Sequence, residues 1–337
     1  MAASKIKEAT CGNKPETFPT VVDIKKNIPK YCFEPKVSTS MYYVARDFVA
    51  IASLHLIFEL ISISLPWYVV YTVAPGYMFM KGTFFLALFI IGHDCCHGSF
   101  SSSSILSDVV GAALHTFLLM PYSCWKFSHR VHHKNTCNID KDEMFYPLRK
   151  ENARLQPANT HSLFWKAYLA LESGPRSLLC YDLLVRTYMY AGRLMASAMS
   201  ILFNILWATV LYRYAMHYGW GSLVLHYLIP VVTYVSWGFV ITFLQHADDD
   251  IAWASGHKWN YMHGQLSTVD RHYGWLHGII HNVGTHQIHH LFPKSHTIIW
   301  RKPLWLSGRV THILCELMPI RFFRPFFSYM GSTYEVV

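Results

Sequence analysis

Charge is scarce in this chain. Asp, Glu, Lys and Arg together make up 15% of its 337 residues, well under the roughly one quarter of an ordinary soluble domain. Acids are the scarcer sign, 20 against 29 basic residues, which leaves a net charge of +9. The basic residues are scattered and form no block, so the excess does not read as a nucleic-acid surface. The eight cysteines include no CxxC pair, and no apolar stretch near residue 1 resembles a cleavable signal. They are therefore read as free thiols facing a reducing compartment. There is no Gly-rich flavin or nicotinamide fingerprint and no internal repeat, and the final TYEVV is not a retention address.

Apolar side chains are abundant, at 52%, and the mean hydropathy is positive, which points to a membrane protein. Residues 1–46 are polar, with prolines at 15, 19, 29 and 35, and read as a cytosolic, partly extended leader. Its acids, Glu8, Glu16, Asp23 and Glu34, do not fit an organellar transit peptide. Four segments are long enough to cross a bilayer, at about 48–73, 76–95, 195–216 and 222–245. The first contains Glu59 and the second Lys81. The links around APGY and HYGWG are short and nearly uncharged. The leader, the 122–194 loop and the C-terminal region carry almost all the Lys and Arg, which places them together on the cytosolic side. A fifth apolar stretch, about 105–121, contains Asp108 and His115 and reads as a helix at the interface or packed inside the protein.

Histidine is the other excess, at 21 residues. The second span ends in HDCCH, with His93 and His97 four apart on one helical face. HRVHH supplies His129, His132 and His133, and HQIHH repeats the spacing with His286, His289 and His290. His246 stands where the fourth span ends. The isolated His55, His115, His217 and His226 read as packing or interfacial residues. The eight box histidines and His246 are candidate metal ligands. Neutral imidazole suits Zn, Cu, Fe and Ni alike. A closed structural site takes four ligands, so this many suit two metals, an arrangement fitted to oxygen activation when positions stay open. A histidine-rich metal transporter would instead place its histidines within the spans. Asp94, Asp140, Asp142, Glu143, Asp248, Asp249, Asp250 and Asp270 are candidates to orient the imidazoles. Cys95 and Cys96 point off the His93/His97 face and read as packing.

GHDCCHGSFS, PYSCWKFSHRVHHKNTCNIDKDEMFYP, STVDRHYG and NVGTHQIHHLFP resemble the membrane fatty acid desaturases, and among them the methyl-end (omega-3 and delta-12) group. The likeness is concentrated in residues 90–150 and 240–293. It implies a di-iron centre held by His93, His97, His129, His132, His133, His286, His289 and His290. A further histidine between the last two boxes completes the site in such proteins. His246 is the choice here, with His281 the alternative; His272 and His277 fit less well. Two features depart from the pattern. Cys96 stands where the methyl-end group usually has Gly, and the chain after Pro293, KSHTIIWRKPLW onward, does not align.

The fold this implies is an all-α integral membrane protein. Four transmembrane helices form two hairpins, beneath a cytosolic histidine-rich helical cap holding a dimetal centre. The desaturase domain spans 47–300, and a divergent tail, a candidate interfacial anchor, spans 301–337. The implied reaction uses O2 and two electrons to introduce a cis double bond toward the methyl end of a lipid-linked acyl chain. Trp125 and Phe127 are candidate lining residues of the acyl slot. With no His-Pro-Gly-Gly heme motif in the chain, the electrons come from a separate donor, cytochrome b5 with its reductase, at the endoplasmic reticulum. Hydroxylation or acetylenic bond formation on the same scaffold, or an inactive lipid-binding homologue, are the alternatives.

Overall fold

The computed structural model describes residues 20–26, 28–142, 193–248, 251 and 253–295. Glu143, Asp249, Asp250 and the 301–337 tail lie outside the described residues. The described residues are mostly helical, with one isolated bridge between Asn138 and Ala254. Short α1 (Val21–Lys26) precedes the long helices α2 (Val37–Ser64) and α3 (Trp67–His97). Next come α4 (Ser104–Phe117), α5 (Tyr122–Asn135) and α6 (Leu194–Tyr218). The fourth long helix, α7, runs Trp220–His246 with a π-turn over Val224–Leu228. Two six-residue helices follow, α8 (Tyr261–Leu266) and α9 (His286–Leu291). Helices α2, α3, α6 and α7 are long and apolar enough to cross a membrane.

The first turn is not where the sequence suggested it. The chain breaks at Leu65–Pro66, and α3 runs straight through the APGY stretch. The residue before a proline is pushed out of the α region, and Leu65 is extended at φ −121° and ψ 155°. Pro75 stays inside α3, where it removes one backbone bond and leaves the helix continuous. Helix α2 also begins at Val37, inside the segment read as leader. The second turn falls at Gly219, within HYGWG as expected.

Helix α3 is the most enclosed of the four. On it pack α2, α4 and α7. The fifth apolar stretch forms α4, whose buried Ser107, Gly111, Leu114 and His115 share one face while Ile105 and Val109 face outward. Its contact with α3 is very close. A Cβ at Gly92 would lie 2.4 Å from the His115 ring, so the residue before the first box must be Gly. Helix α5 then leaves α4 at 108° and turns back across the end of α3.

Polar side chains also tie the apolar helices. Lys81 Nζ donates to the Tyr77 hydroxyl at 2.9 Å, and Tyr77 is 2.7 Å from His226 Nδ1. His226 Nε2 lies 3.1 Å from Glu59, which links α2, α3 and α7. The two charges that interrupt the sequence pattern, Glu59 and Lys81, thus share one network instead of facing lipid alone.

Candidate metal centre

Each box sits on a helix that ends at the same place. Helix α3 delivers His93 and His97 in its last turn, where Gly98 at φ +73° stops it in a left-handed conformation. Helix α5 delivers His129, His132 and His133; α9 delivers His286, His289 and His290; α7 ends on His246.

The nine imidazoles fall into two groups. His93, His97, His129, His133 and His289 each bring a ring nitrogen to a common centre, all within 4.8 Å of one another. Within this group the Nε2 atoms of His129 and His133 are 3.0 Å apart, and those of His133 and His289 are 3.1 Å apart. His132, His246 and His290 form a second group on the same criterion, and His286 Nε2 lies 2.9 Å from His246 Nε2. Neighbours on a helix point about 100° apart, so each HxxHH box serves both groups. His129 and His133 turn one way and His132 the other; His286 and His290 turn one way and His289 the other.

Burial, with repulsion from neighbouring rings added, drives His129, His133, His286, His289 and His290 well below the usual imidazole range. They stay neutral at cellular pH, which is the metal-binding form. His132 Nδ1 lies 2.9 Å and 3.0 Å from the two Asp142 carboxylate oxygens, and His93 Nδ1 lies 3.4 Å from Asp94. The other acids act differently. Asp270 accepts from the backbone N–H groups of His286 and Gln287 at 2.7 and 2.9 Å, capping α9. Burial raises its carboxyl to about 6, against the pull of those two donors. Asp248 pairs with Arg271, and Asp140 accepts from Gly256 N.

His281 stands apart from both groups. Its Nε2 lies 2.8 Å from buried Asp47 and its ring meets Tyr43 edge-on. His272 and His277 stack on each other at 4.6 Å. Cys95 and Cys96 are buried and belong to neither group. Trp125 stacks on His129 at 4.3 Å, whereas Phe127 meets the Arg193 guanidinium.

Sequence reasoning missed Gln265 and Thr136. Gln265 Nε2 donates to the His133 carbonyl at 2.8 Å, which turns its Oε1 toward His290 Nδ1 at 3.1 Å. The Thr136 hydroxyl donates to the His132 carbonyl and also lies 3.1 Å from His290 Nδ1. Nδ1 therefore carries the proton, and the buried His290 Nε2, which has no hydrogen-bond partner, keeps its lone pair for a ligand. A lone Gln in the six-residue α8 carries no spacing signal that could have singled it out.

The description fatty acid desaturase fits the family model that matches residues 65–318. The chain belongs to the fatty acid desaturase family. It is 33% identical over 293 residues to a Nostoc sp. (strain 36) protein named sn-1 acyl-lipid omega-3 desaturase (ferredoxin), across 81% of this chain and 76% of that one. It is 34% identical over 286 residues to an Arabidopsis thaliana acyl-lipid omega-3 desaturase (cytochrome b5), endoplasmic reticulum, across 81% and 71%. A Glycine max omega-3 fatty acid desaturase, chloroplastic, is 35% identical over 291 residues, across 81% and 61%.

As a desaturase this chain is an oxygen-dependent oxidoreductase. Its histidine groups suit that chemistry. They are nitrogen-only and mostly buried, and at least one bare lone pair, on His290, has no protein partner. Either group could hold a metal ion.

Proposed function

We propose that this desaturase introduces the omega-3 double bond into lipid-linked acyl chains at a di-iron centre. One iron would be held by His93, His97, His129, His133 and His289, and the other by His132, His246, His286 and His290. The carrying observation is the split of nine converging imidazoles into two adjacent groups where the apolar helices α3 and α7 end. Bound iron supplies the O2-dependent oxidation that removes two hydrogens from adjacent methylenes. The chain's own residues do the rest. Asp142, Gln265 and Thr136 fix ring tautomers, Asp270 anchors α9, and the apolar helices hold the acyl chain in register, where an error of about 1 Å can cost about 100-fold.

The omega-3 reading is supported by the names of the relatives. The chain near the histidine groups carries Arg46, Lys126, Arg130, Lys134 and Arg271, and the turns at Leu65–Pro66 and Gly219 carry no charge. By the positive-inside rule the groups then face the cytosol, with the two helix pairs forming hairpins. The donor would be cytochrome b5 at the endoplasmic reticulum, as in the name of the Arabidopsis relative. The domain proposed over 47–300 would take in α1 and the start of α2 on its N-terminal side, and the 301–337 tail would follow it.

The test is expression in yeast with and without linoleic acid, with fatty acids profiled by gas chromatography–mass spectrometry. Trienes formed only from fed linoleate are expected. Dienes formed from oleate would replace the omega-3 reading with a delta-12 one, and a hydroxylated product would end the desaturase reading of the outcome.

Gln265→Leu removes the acceptor that sets the His290 tautomer and the donor to His133. Loss of such an outer partner typically costs about 10–100-fold in metal affinity. Dialysis of the purified variant against a graded chelator should show that weakening, with Gln265→Glu falling between it and the parent. Equal iron retention in all three would remove Gln265 from the site.

A further inference from the structure

Beside the first histidine group the core contains an ordered run of aromatic rings. Trp125 stacks on His129 at 4.3 Å with 21° between the planes, and lies 5.5 Å from His93. His115 is 5.4 Å from Trp125, and Tyr122 is 5.4 Å from His115. The Tyr122 hydroxyl donates to Asp108 at 2.8 Å, and Asp108 is also paired with Lys126. Trp125, His115 and Tyr122 are buried, but the Asp108 side chain is 48% exposed. Packing alone asks for apolar rings in any order. This run has an order: the two easily oxidised side chains flank a bridging imidazole, and the outer one aims its proton at a carboxylate that reaches solvent.

We propose that Trp125, His115 and Tyr122 form an electron path that discharges the metal centre when O2 is activated without an acyl substrate. This rests on the reading of the first histidine group as an iron site. Tyr122 loses one electron, which passes through His115 and Trp125 and reduces the oxidised centre by one. The Tyr122 hydroxyl proton goes to Asp108. A low-molecular-weight thiol then gives one electron back to Tyr122 and releases its own proton to solvent, Asp108 returns the proton it took, and the thiyl radicals left by two such passes couple to a disulfide. The path spares the ligand imidazoles from oxidation. Tyr234 is the internal contrast. It approaches the same cluster through Phe89 at 5.9 Å, and its hydroxyl donates to the Leu118 backbone carbonyl where that of Tyr122 donates to a carboxylate.

The experiment uses purified full-length protein whose iron content has been measured. It is reduced, exposed to O2 without lipid, and freeze-quenched for electron paramagnetic resonance. A tyrosyl radical is expected in the parent and in Tyr234→Phe, absent in Tyr122→Phe and diminished in Asp108→Asn. Tyr122→Phe should keep its initial rate with substrate, yet lose activity several-fold faster over repeated substrate-free cycles, with peptide mapping finding more oxidised His129 and Trp125. Iron-loaded parent and Tyr122→Phe that show no radical, or that inactivate at the same rate, would overturn the path. A parent chain that holds no iron would overturn the metal reading itself, and the path with it.

Discussion

His246→Ala is expected to lose desaturation altogether and to bind one metal fewer than the parent, while His281→Ala keeps both metals. Both residues lie between the second and third boxes, and both are buried. Their surroundings differ. His246 closes on His286 at 2.9 Å and shares a centre with His132 and His290, so its removal takes one of the few nitrogens around the second metal. Losing an outer partner alone costs about 10–100-fold, and losing a direct ligand should exceed the upper end of that range. His281 makes a bond to Asp47, which Arg46 Nε also holds at 2.7 Å. Removing His281 leaves that carboxylate paired on one side only, at a cost of about 1–3 kcal/mol. The expected readouts are therefore separate. Iron per chain and triene yield fall in His246→Ala, whereas the unfolding temperature falls in His281→Ala with iron retained. Iron loss in His281→Ala with His246→Ala unaffected would exchange the two roles.

The two histidines also show what spacing can and cannot tell. Both are candidates by position, and only the partner across the fold, His286 for one and Asp47 for the other, separates them. The boxes themselves were legible because three clusters at helical spacing rarely serve packing. Their division was not, since the i, i+3, i+4 pattern groups them on one face while the structure sends adjacent residues to different centres. The Asp142 contact was within reach of the sequence, ten residues from His132, and the Asp270 cap was not, because it acts on backbone instead of imidazole. The first helix break was misplaced because APGY and LPW both offer a proline. A long apolar helix absorbs Pro75, whereas Pro66 stands at the start of α3. In the leader, prolines and lysines mask a weaker signal, Ile24, Ile28 and Cys32 at intervals of four.

That interval carries the second large expectation. Ile24→Asp should strip the metal centre, although residue 24 lies outside all three boxes. Ile24, Ile28 and Cys32 are buried against Ile288, Leu291 and Phe292, with Met262 and Leu266 packed around them. Helix α9 has six residues, far too few to hold a helix unaided. One side of it carries His286, His289 and His290, so Ile288 and Leu291 need an apolar cover, and the segment read as a polar leader provides it. Truncating a buried Ile to Ala costs about 2–5 kcal/mol, and a carboxylate in that place adds the cost of burying a charge. Against a total stability of about 5–15 kcal/mol, α9 should come loose and take three ligands with it. Val22 lies on the same short helix but is 62% exposed, so Val22→Asp adds the same charge without the cavity. Iron content and triene yield should fall in Ile24→Asp and hold in Val22→Asp. If the two variants behave alike, α1 is a leader after all, and α9 is held from within by the Asp270 cap and the metals.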